Sequence, residues 1–217
     1  MILKGLFVAG VAIFALSACV KHEIVPAPEP KVDLDAHFFG TINGTDVEFT
    51  QNVLSYRGSS TKSKTIPPPP AMSKAVYYST MSSTSGAYIQ SISVGLGSVD
   101  WDATVSPDPT LALFNDFFRT NDSPNFSDLG ANGFEILYMD QNGREWRSSG
   151  SSSNPQDVEF TGIKQESDAT GDYSKFICNF NGYVYSLHPD SLALTPPVMQ
   201  LDSLNIENAT LRCWFKR

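Results

Sequence analysis

Histidine and cysteine are scarce in this chain. Among 217 residues there are three of each, and the sequence contains no Gly-x-Ser-x-Gly, no His-Glu-x-x-His and no glycine-rich phosphate loop. Nucleophilic, metal-dependent and nucleotide-dependent enzymes draw on these residue types and motifs. We therefore predict no catalytic residues, no metal ligands and no cofactor, and we do not expect the chain to be an enzyme.

Basic residues are also few. Lys and Arg number 15 against 23 Asp and Glu, which gives a net charge of -8, and no basic stripe relieves it. Such a surface repels a phosphate backbone, so nucleic acid is not an expected partner. Hydrophobic residues make up 41% of the chain, which is enough for the core of one domain of ordinary size.

Only one long hydrophobic run is present, and it lies at the amino terminus. Leu6–Leu16 is apolar, follows the cation Lys4 and leads into small residues, which is the layout of a secretory signal peptide. The run reaches only about half of the ~30 Å hydrocarbon core of a bilayer. We predict a signal peptide at residues 1–18 and no membrane-spanning helix there.

The end of this run resembles a bacterial lipobox. Leu16-Ser17-Ala18-Cys19 is similar to the sequence at which a peptidase cuts before a cysteine that carries diacylglycerol. We predict lipidation of Cys19, with acyl chains such as palmitate, and anchoring of the mature chain to a membrane through these lipids. The alternative is an ordinary cysteine in a signal-like segment.

Val20 follows the predicted lipidated cysteine directly. An aspartate at this position would resemble the signal that retains lipoproteins in the inner membrane of Gram-negative bacteria, so we expect the outer membrane. Lys21-His22-Glu23 faintly resembles the short tags that send some lipoproteins to the cell surface. The periplasmic face and the cell-surface face both remain open.

Residues 19–36 are predicted to be a lipidated tether. Pro26, Pro28 and Pro30 stand among charged residues with no apolar face, which is typical of an extended spacer. From His37 the pattern changes to short β-branched and aromatic runs separated by turn residues. We predict one all-β domain at residues 37–217, an antiparallel β-sandwich of about eight or nine strands with one short helix; a barrel-like form is the alternative.

Two hairpins, one helix and two loops are predicted within this domain. Asn43-Gly44 and Asp140-Gln141-Asn142-Gly143 are turn sequences between alternating strands. Phenylalanines at a spacing of three to four residues predict a helix over Thr110–Arg119. Ser59–Ser73, with prolines at 67–70, and Ser148–Asn154 are expected to be loops. The other expected strands lie at 88–94, 158–163, 176–180, 183–187 and 211–215.

The order of these features resembles a group of uncharacterised Gram-negative lipoproteins with a β-sandwich domain. The resemblance rests on the lipobox, the hairpin FFGTINGTDVEFT, the helix PTLALFNDFF, the strand pair GFEILYMDQNGREW and the closing segments FICNFNGYVYS and NIENATLRCWF. It covers most of the mature chain. It implies a lipid-anchored all-β domain and carries over no functional residues.

Cys178 and Cys213 are the cysteines that remain once Cys19 is lipidated. Each lies among apolar side chains on one face of its strand, and an oxidising compartment favours pairing of an even number of cysteines. We predict a disulfide between Cys178 and Cys213. The alternative is two buried free thiols that pack as small hydrophobic side chains.

The tryptophans and tyrosines either fill the core or form a platform on which sugars stack. Most of them are expected in the core, and Trp146 and Trp214 are the candidate binding residues. Strict alternation directs Leu211, Cys213 and Phe215 inward and places Trp214 on the opposite face, between two cations. We expect Trp214 to be at least partly exposed and to contact a glycan or an acidic partner.

Three functional classes fit these predictions. A non-catalytic binding or accessory lipoprotein, which holds a glycan or a partner protein at the envelope, agrees best with the tether and the missing catalytic motifs. A structural or assembly subunit of an envelope complex, which contacts its partners through an edge strand, is the second class. The third is a hydrolase that uses paired carboxylates, for which the candidates are Asp100, Asp102, Asp168 and Asp172.

Overall fold

The computed structural model describes residues 31–189 and 199–217. The predicted signal peptide, Cys19 and the tether as far as residue 30 lie outside the described residues. The chain from Lys31 onward forms one compact unit. In the described ranges, no helix is both long enough and apolar enough to cross a bilayer.

Within these ranges the chain forms ten strands, one α-helix and one short 3₁₀ helix. The strands are β1 His37–Ile42, β2 Thr45–Thr50, β3 Tyr56–Thr65, β4 Ser73–Ser83, β5 Ser91–Trp101, β6 Phe134–Met139, β7 Glu145–Ser148, β8 Asp157–Asp168, β9 Gly171–Pro189 and β10 Met199–Lys216. The helix α1 spans Leu111–Thr120, and the 3₁₀ helix spans Asp128–Gly130.

All ten strands belong to one sheet, and the neighbouring strands are antiparallel. Their order is β2-β1-β10-β9-β7-β6-β5-β4-β3, and β8 pairs with β9 off this path. The prediction of an all-β antiparallel domain with one short helix is confirmed. The sheet does not close into a barrel, and it has ten strands where eight or nine were expected.

Helix α1 packs between β10 and β4, which lie in opposite halves of this sheet order. Its Phe118 ring stacks on Phe215 of β10, with centroids 4.5 Å apart, and meets the Tyr77 ring of β4 edge-on at 5.4 Å. The Thr110 hydroxyl caps the helix by accepting a hydrogen bond from the Leu113 amide at 3.3 Å. The predicted helix is therefore confirmed, and its phenylalanines belong to the same core as residues from both halves of the sheet.

Both predicted hairpins are confirmed. Asn43 and Gly44 have φ angles of 48° and 78°, which is the left-handed conformation that a tight turn between β1 and β2 requires. In the turn between β6 and β7, Asp140 Oδ1 accepts hydrogen bonds from the backbone amides of Asn142 and Arg144, at 2.8 Å and 3.0 Å. The turns therefore fix the register of both strand pairs.

Residues 59–73 differ most from the prediction of a loop. β3 runs to Thr65 and β4 begins at Ser73, so only the proline-rich turn between them is a loop. β3 is an edge strand with the polar sequence YRGSSTKSKT, so it lacks the apolar alternation that identifies a strand in a sequence. The strands expected at 176–180 and 183–187 are parts of one long strand, β9.

Residues 31–36 pack against the domain, and we call them the strap. The Val32 amide donates a hydrogen bond to Asp168 Oδ2 at 2.7 Å, Gln51 Nε2 donates to the Leu34 carbonyl at 3.1 Å, and Ala36 is buried. The compact unit consequently begins at Lys31, upstream of the domain start predicted at His37.

Candidate functional site

Trp214 is buried, so the prediction that it is exposed is wrong. Its relative exposure is 7%. A Cβ atom at Gly58 of β3 would lie only 2.6 Å from Trp214 Cη2 and 2.6 Å from Ala36 Cβ, so the indole packs close to both the strap and an edge strand. The predicted alternation along β10 is correct, but the face of β10 that carries Trp214 is covered by the strap and β3 and does not face solvent. Trp214 is therefore removed as a binding residue.

Trp146, the other candidate binding residue, is also buried, with a relative exposure of 5%. Its indole Nε1 donates a hydrogen bond to Asp140 Oδ2 at 3.1 Å, and the Arg144 guanidinium lies 5.4 Å from the ring centroid. The ring is held by its own hairpin and offers no open stacking platform. It does, however, line a concavity.

This concavity, which we call the mouth concavity, has a volume of about 270 Å³. It lies between the β1–β2 hairpin, the β6–β7 hairpin, the start of β5 and β10. The apolar and aromatic residues that line it are Ile42, Val47, Tyr138, Trp146 and Leu204. The polar residues are Asn43, Thr45, Gln90, Asp140, Gln141 and Asn142. Small-molecule sites commonly combine such an apolar surface with a few polar groups.

Three carboxamides at the mouth concavity are unpaired. The side chains of Asn43, Gln141 and Asn142 are exposed and make no hydrogen bond within the described ranges. Gln90 differs from these three residues because it is half-buried. Its Nε2 donates a hydrogen bond to the Tyr138 hydroxyl at 3.1 Å. Each carboxamide supplies both a donor and an acceptor, so the rim presents neutral groups of both kinds.

The charged groups around the mouth concavity are already paired. Arg144 Nη1 lies 2.9 Å from Asp202 Oδ2. Burial acts to raise the pKa of Asp140, but the hydrogen bonds from Arg144, Trp146 and Asn142 outweigh it and lower that pKa. Asp140 is therefore ionised and engaged at neutral pH. The concavity offers hydrogen-bonding groups without a free charge among its lining residues.

A second feature, the Glu135 cluster, lies on the other face of β6. The side chain of Glu135 has an exposure of 0%, and its two carboxylate oxygens lie 2.7 Å from the Tyr78 hydroxyl and 3.3 Å from Arg147 Nη1. Burial raises the pKa of Glu135, although both hydrogen bonds act in the opposite direction. Perturbed carboxylates are frequent at functional sites, but here both oxygens are engaged.

Packing explains why Glu135 escaped prediction from the sequence. Alternation along β6 places it on the face opposite Phe134 and Ile136, which normally means solvent. The 3₁₀ segment crosses that face, and a Cβ at Gly95 would lie 2.9 Å from Glu135 Cγ and 2.7 Å from Tyr78 Cε1. The cluster thus fastens the segment to the sheet, and the Tyr78 hydroxyl also lies 3.3 Å from the Leu129 carbonyl.

Cys178 and Cys213 are free thiols, so the predicted disulfide is absent from the structure. In the β9–β10 register, Cys178 is opposite Leu211 and Cys213 is opposite Phe176. The cysteines are diagonal neighbours, and such positions lie about 7–8 Å apart, beyond the usual reach of a disulfide. Burial raises the pKa of Cys213 to about 11 and also raises that of Cys178, so neither thiol is activated.

The candidate acids of a hydrolase are engaged in local contacts. Asp102 accepts hydrogen bonds from the Thr104 hydroxyl and amide, and Asp100 accepts one from Ser98. Asp168 binds the strap and Asp172 pairs with Arg217 at 2.6 Å. None of these four aspartates lines the mouth concavity.

Within residues 31–189 and 199–217, no three His, Cys, Asp or Glu side chains are grouped so that they could hold a metal ion. Comparison of the chain with protein-family models, with curated proteins and with solved structures finds no match. The candidate site is therefore defined by the geometry of the mouth concavity alone.

Proposed function

We propose that this chain is an outer-membrane lipoprotein, anchored through Cys19, whose β domain is a non-catalytic binding module for a neutral glycan. The proposed ligand site is the mouth concavity. One observation carries the choice of ligand: carboxamides without a side-chain partner among the described residues surround an aromatic and aliphatic wall, while Arg144 pairs with Asp202 and the Asp140 carboxylate is occupied by hydrogen bonds.

The ligand class follows from the complementarity of these groups. A sugar presents hydroxyl groups that donate and accept hydrogen bonds, and C–H faces that pack on apolar and aromatic side chains. An acidic ligand would meet no cation among the lining residues, and the Asp140 carboxylate is occupied by hydrogen bonds from Asn142, Arg144 and Trp146. The volume of about 270 Å³ lies just below the range of about 300–1,000 Å³ that is usual for ligand sites, which suits one end of a glycan better than an internal stretch.

The ligand class is tested by measuring the binding of the full-length protein to an array of neutral and acidic glycans. A double variant, Gln141→Ala with Asn142→Ala, removes two rim carboxamides and should weaken neutral-glycan binding roughly tenfold. Asn115→Ala on α1 is the matched control, because that carboxamide makes no side-chain hydrogen bond in the described part of the chain and lies outside the mouth concavity. Acidic glycans bound as well as neutral ones, or a double variant that binds like wild type, would contradict the proposal.

The anchor is tested separately. Labelling of cells with an alkyne fatty acid should mark the wild-type protein, and Cys19→Ala should abolish the label. A signal of equal strength from both proteins would show that Cys19 is not the lipidated residue. Since the anchor and the ligand site are independent, either result leaves the glycan measurement valid.

A second candidate function, assembly into an envelope complex, is supported by the end of the β9–β10 hairpin. Leu187 and Leu201 are directly opposite each other in the register, and their exposures are 61% and 63%. β7 pairs with β9 only at Val184 and Tyr185, so the described residues beyond Tyr185 leave that strand edge open for addition of a partner strand.

This second function is tested by co-purification from envelope extracts. Leu187→Asp with Leu201→Asp should remove a specific partner while leaving glycan binding unchanged. A partner that is retained by the double variant would rule out this hairpin as the assembly surface.

A further inference from the structure

A concavity of about 370 Å³ lies where β8, β9 and β10 meet the strap. Three cationic side chains line it, Lys164 from β8, Lys175 from β9 and Arg212 from β10. We call it the lysine concavity. The other lining residues are Asp35, Gly162, Phe176, Ile177 and Cys213.

Two lysines are directly opposite each other at this site. Lys164 pairs with Lys175 in the antiparallel register of β8 and β9, so both side chains project from the same face. Like charges in this relation destabilise a strand pair. An anion bound between the two lysines would relieve this repulsion, so the arrangement favours anion binding.

The acids nearby do not neutralise the cluster. Glu166 Oε2 lies 3.2 Å from Lys175 Nζ, and Asp35 Oδ2 lies 3.2 Å from Arg212 Nη1. Lys164 is exposed and makes neither a hydrogen bond nor an ion pair within the described ranges. Three cations thus face two carboxylates, which leaves local positive charge on a chain whose net charge is -8.

A β-bulge produces this arrangement. The β8–β9 register shifts between Thr161 and Lys164, and Gly162 adopts a φ angle of 59°. Such a bulge redirects the side chains that follow it, and it is the shifted register that places Lys164 opposite Lys175. Gly162 suits this position because L-residues with a side chain rarely adopt that conformation.

We propose that the lysine concavity binds an anion of the phosphate class, held between Lys164 and Lys175 with Arg212 at its edge. Ammonium and guanidinium groups donate charge-assisted hydrogen bonds to phosphate oxygens. The phosphate comes either from a soluble phosphomonoester or from the phosphodiester of a lipid headgroup.

The proposal is tested by calorimetric titration of the full-length protein with inorganic phosphate at constant ionic strength. Lys164→Gln should weaken binding about tenfold or more, as expected for loss of a charged hydrogen-bonding group. Glu166→Gln should strengthen binding, because it removes the carboxylate that competes for Lys175. Lys74→Gln is the matched control, since Lys74 on β4 pairs with Asp100 outside the lysine concavity.

Thermal unfolding gives a second readout of the same site. Phosphate should raise the midpoint of the wild type, because a ligand that binds only the folded state stabilises it. Lys164→Gln should lose this phosphate-dependent rise while remaining folded, which separates loss of binding from loss of structure. A rise of equal size in wild type and Lys164→Gln would overturn the proposal.

A parallel titration with glycerophosphoglycerol distinguishes the two sources. Binding of this phosphodiester that depends on Lys164 supports a lipid headgroup, whereas Lys164-dependent binding of inorganic phosphate alone supports a soluble phosphomonoester. Absence of binding of both compounds, or binding unaffected by Lys164→Gln and Glu166→Gln, would overturn the phosphate site.

Discussion

The mouth concavity and the lysine concavity each lie near a buried tryptophan, but their charged side chains differ in whether they are paired. At the mouth, Arg144 pairs with Asp202, and Asp140 accepts the indole hydrogen bond of Trp146. At the lysine concavity, Lys175 of β9 is paired in the register with Trp214 of β10 on one side and with Lys164 of β8 on the other. The mouth concavity therefore offers neutral groups, whereas the lysine concavity keeps, at Lys164, a positive charge without a partner among the described residues.

The comparison shows that net charge does not describe an individual site. A chain with a charge of -8 is expected to reject polyanions such as nucleic acid. Strand register nevertheless brings two lysines together at short range, where direct contacts outweigh a distant and salt-screened field. The difference between the two regions is thus a property of the register and not of the composition.

The largest expected effect concerns Trp214, which is opposite Lys175 in the β9–β10 register. Because the indole is buried against Gly58 and Ala36, Trp214→Ala should lower the free energy of unfolding by about 3–5 kcal/mol, measured by urea denaturation. Arg212→Ala is the control on the same face; its exposed ion pair with Asp35 contributes about 0–1 kcal/mol. A Trp214→Ala loss of less than 1 kcal/mol would mean that the indole is exposed after all.

A smaller effect is expected at the mouth from Trp146→Phe. The change keeps an aromatic ring but removes the hydrogen bond from Nε1 to the Asp140 carboxylate. We expect a loss of about 1.5–3 kcal/mol in the free energy of unfolding, as for a hydrogen bond to a charged acceptor. Trp101→Phe is the matched control, because the Trp101 indole donates to the neutral carbonyl of Ser106 at 2.9 Å and its loss should cost less. Equal losses from Trp146→Phe and Trp101→Phe would show that the hydrogen bond to Asp140 stabilises the fold no more than one to a neutral carbonyl.

The strap beside the lysine concavity should respond to acid. The hydrogen bond from the Thr170 hydroxyl and that from the Val32 amide lower the pKa of Asp168 from 3.8 to about 2. A carboxyl with a lowered folded-state pKa stabilises the fold above its unfolded pKa, and this contribution is lost as the pH falls toward the folded value. Asp168→Asn should therefore be less stable than wild type at neutral pH.

The stability difference between wild type and Asp168→Asn should shrink between pH 4 and about pH 2, the interval between the two pKa values of Asp168. Urea denaturation across this pH range measures the difference, and amide hydrogen exchange at Val32 reports on the strap itself. A difference that stays constant down to about pH 2 would show that Asp168 does not act through its ionised form.

The smallest expected effect comes from reversing the charge of one of the two opposed lysines. Lys164→Glu converts a like-charge pair with Lys175 into an opposite-charge pair, and it should stabilise the protein by about 0.2–1 kcal/mol in phosphate-free buffer. Lys74→Glu is the control, because it breaks an existing ion pair with Asp100 and should not stabilise. Lack of any gain from Lys164→Glu would indicate that the opposed lysines do not repel each other.

The sequence predicted local features of the fold better than it predicted burial. The turns at Asn43-Gly44 and Asp140–Gly143 and the helix after Thr110 are encoded within a few residues, and all three are confirmed. Alternation along β10 was also correct. The burial of Trp214 and Glu135 depends on segments distant in the chain that cover an otherwise outward face, and no local pattern records that contact.

The two concavities were equally beyond local prediction. Trp146 was singled out from the sequence, but Gln90, Asn43 and Leu204 join it only because β10 lies between β1 and β9 in the sheet order. The opposition of Lys164 and Lys175 depends on a register shift at Gly162. Bulge positions and strand order are set by tertiary packing, so the sequence alone could not predict that these residues lie close together.

The central claim, that the mouth concavity binds a neutral glycan, is tested most directly by the three tryptophan indole N–H signals in an NMR titration. Trp146 lines the concavity, whereas Trp101 and Trp214 lie outside it and serve as internal references in the same spectrum. Addition of a neutral glycan selected on the array should shift the Trp146 signal in a saturable manner and leave the other two unchanged. A Trp146 signal that does not move while the glycan binds, or equal shifts of all three, would contradict the account.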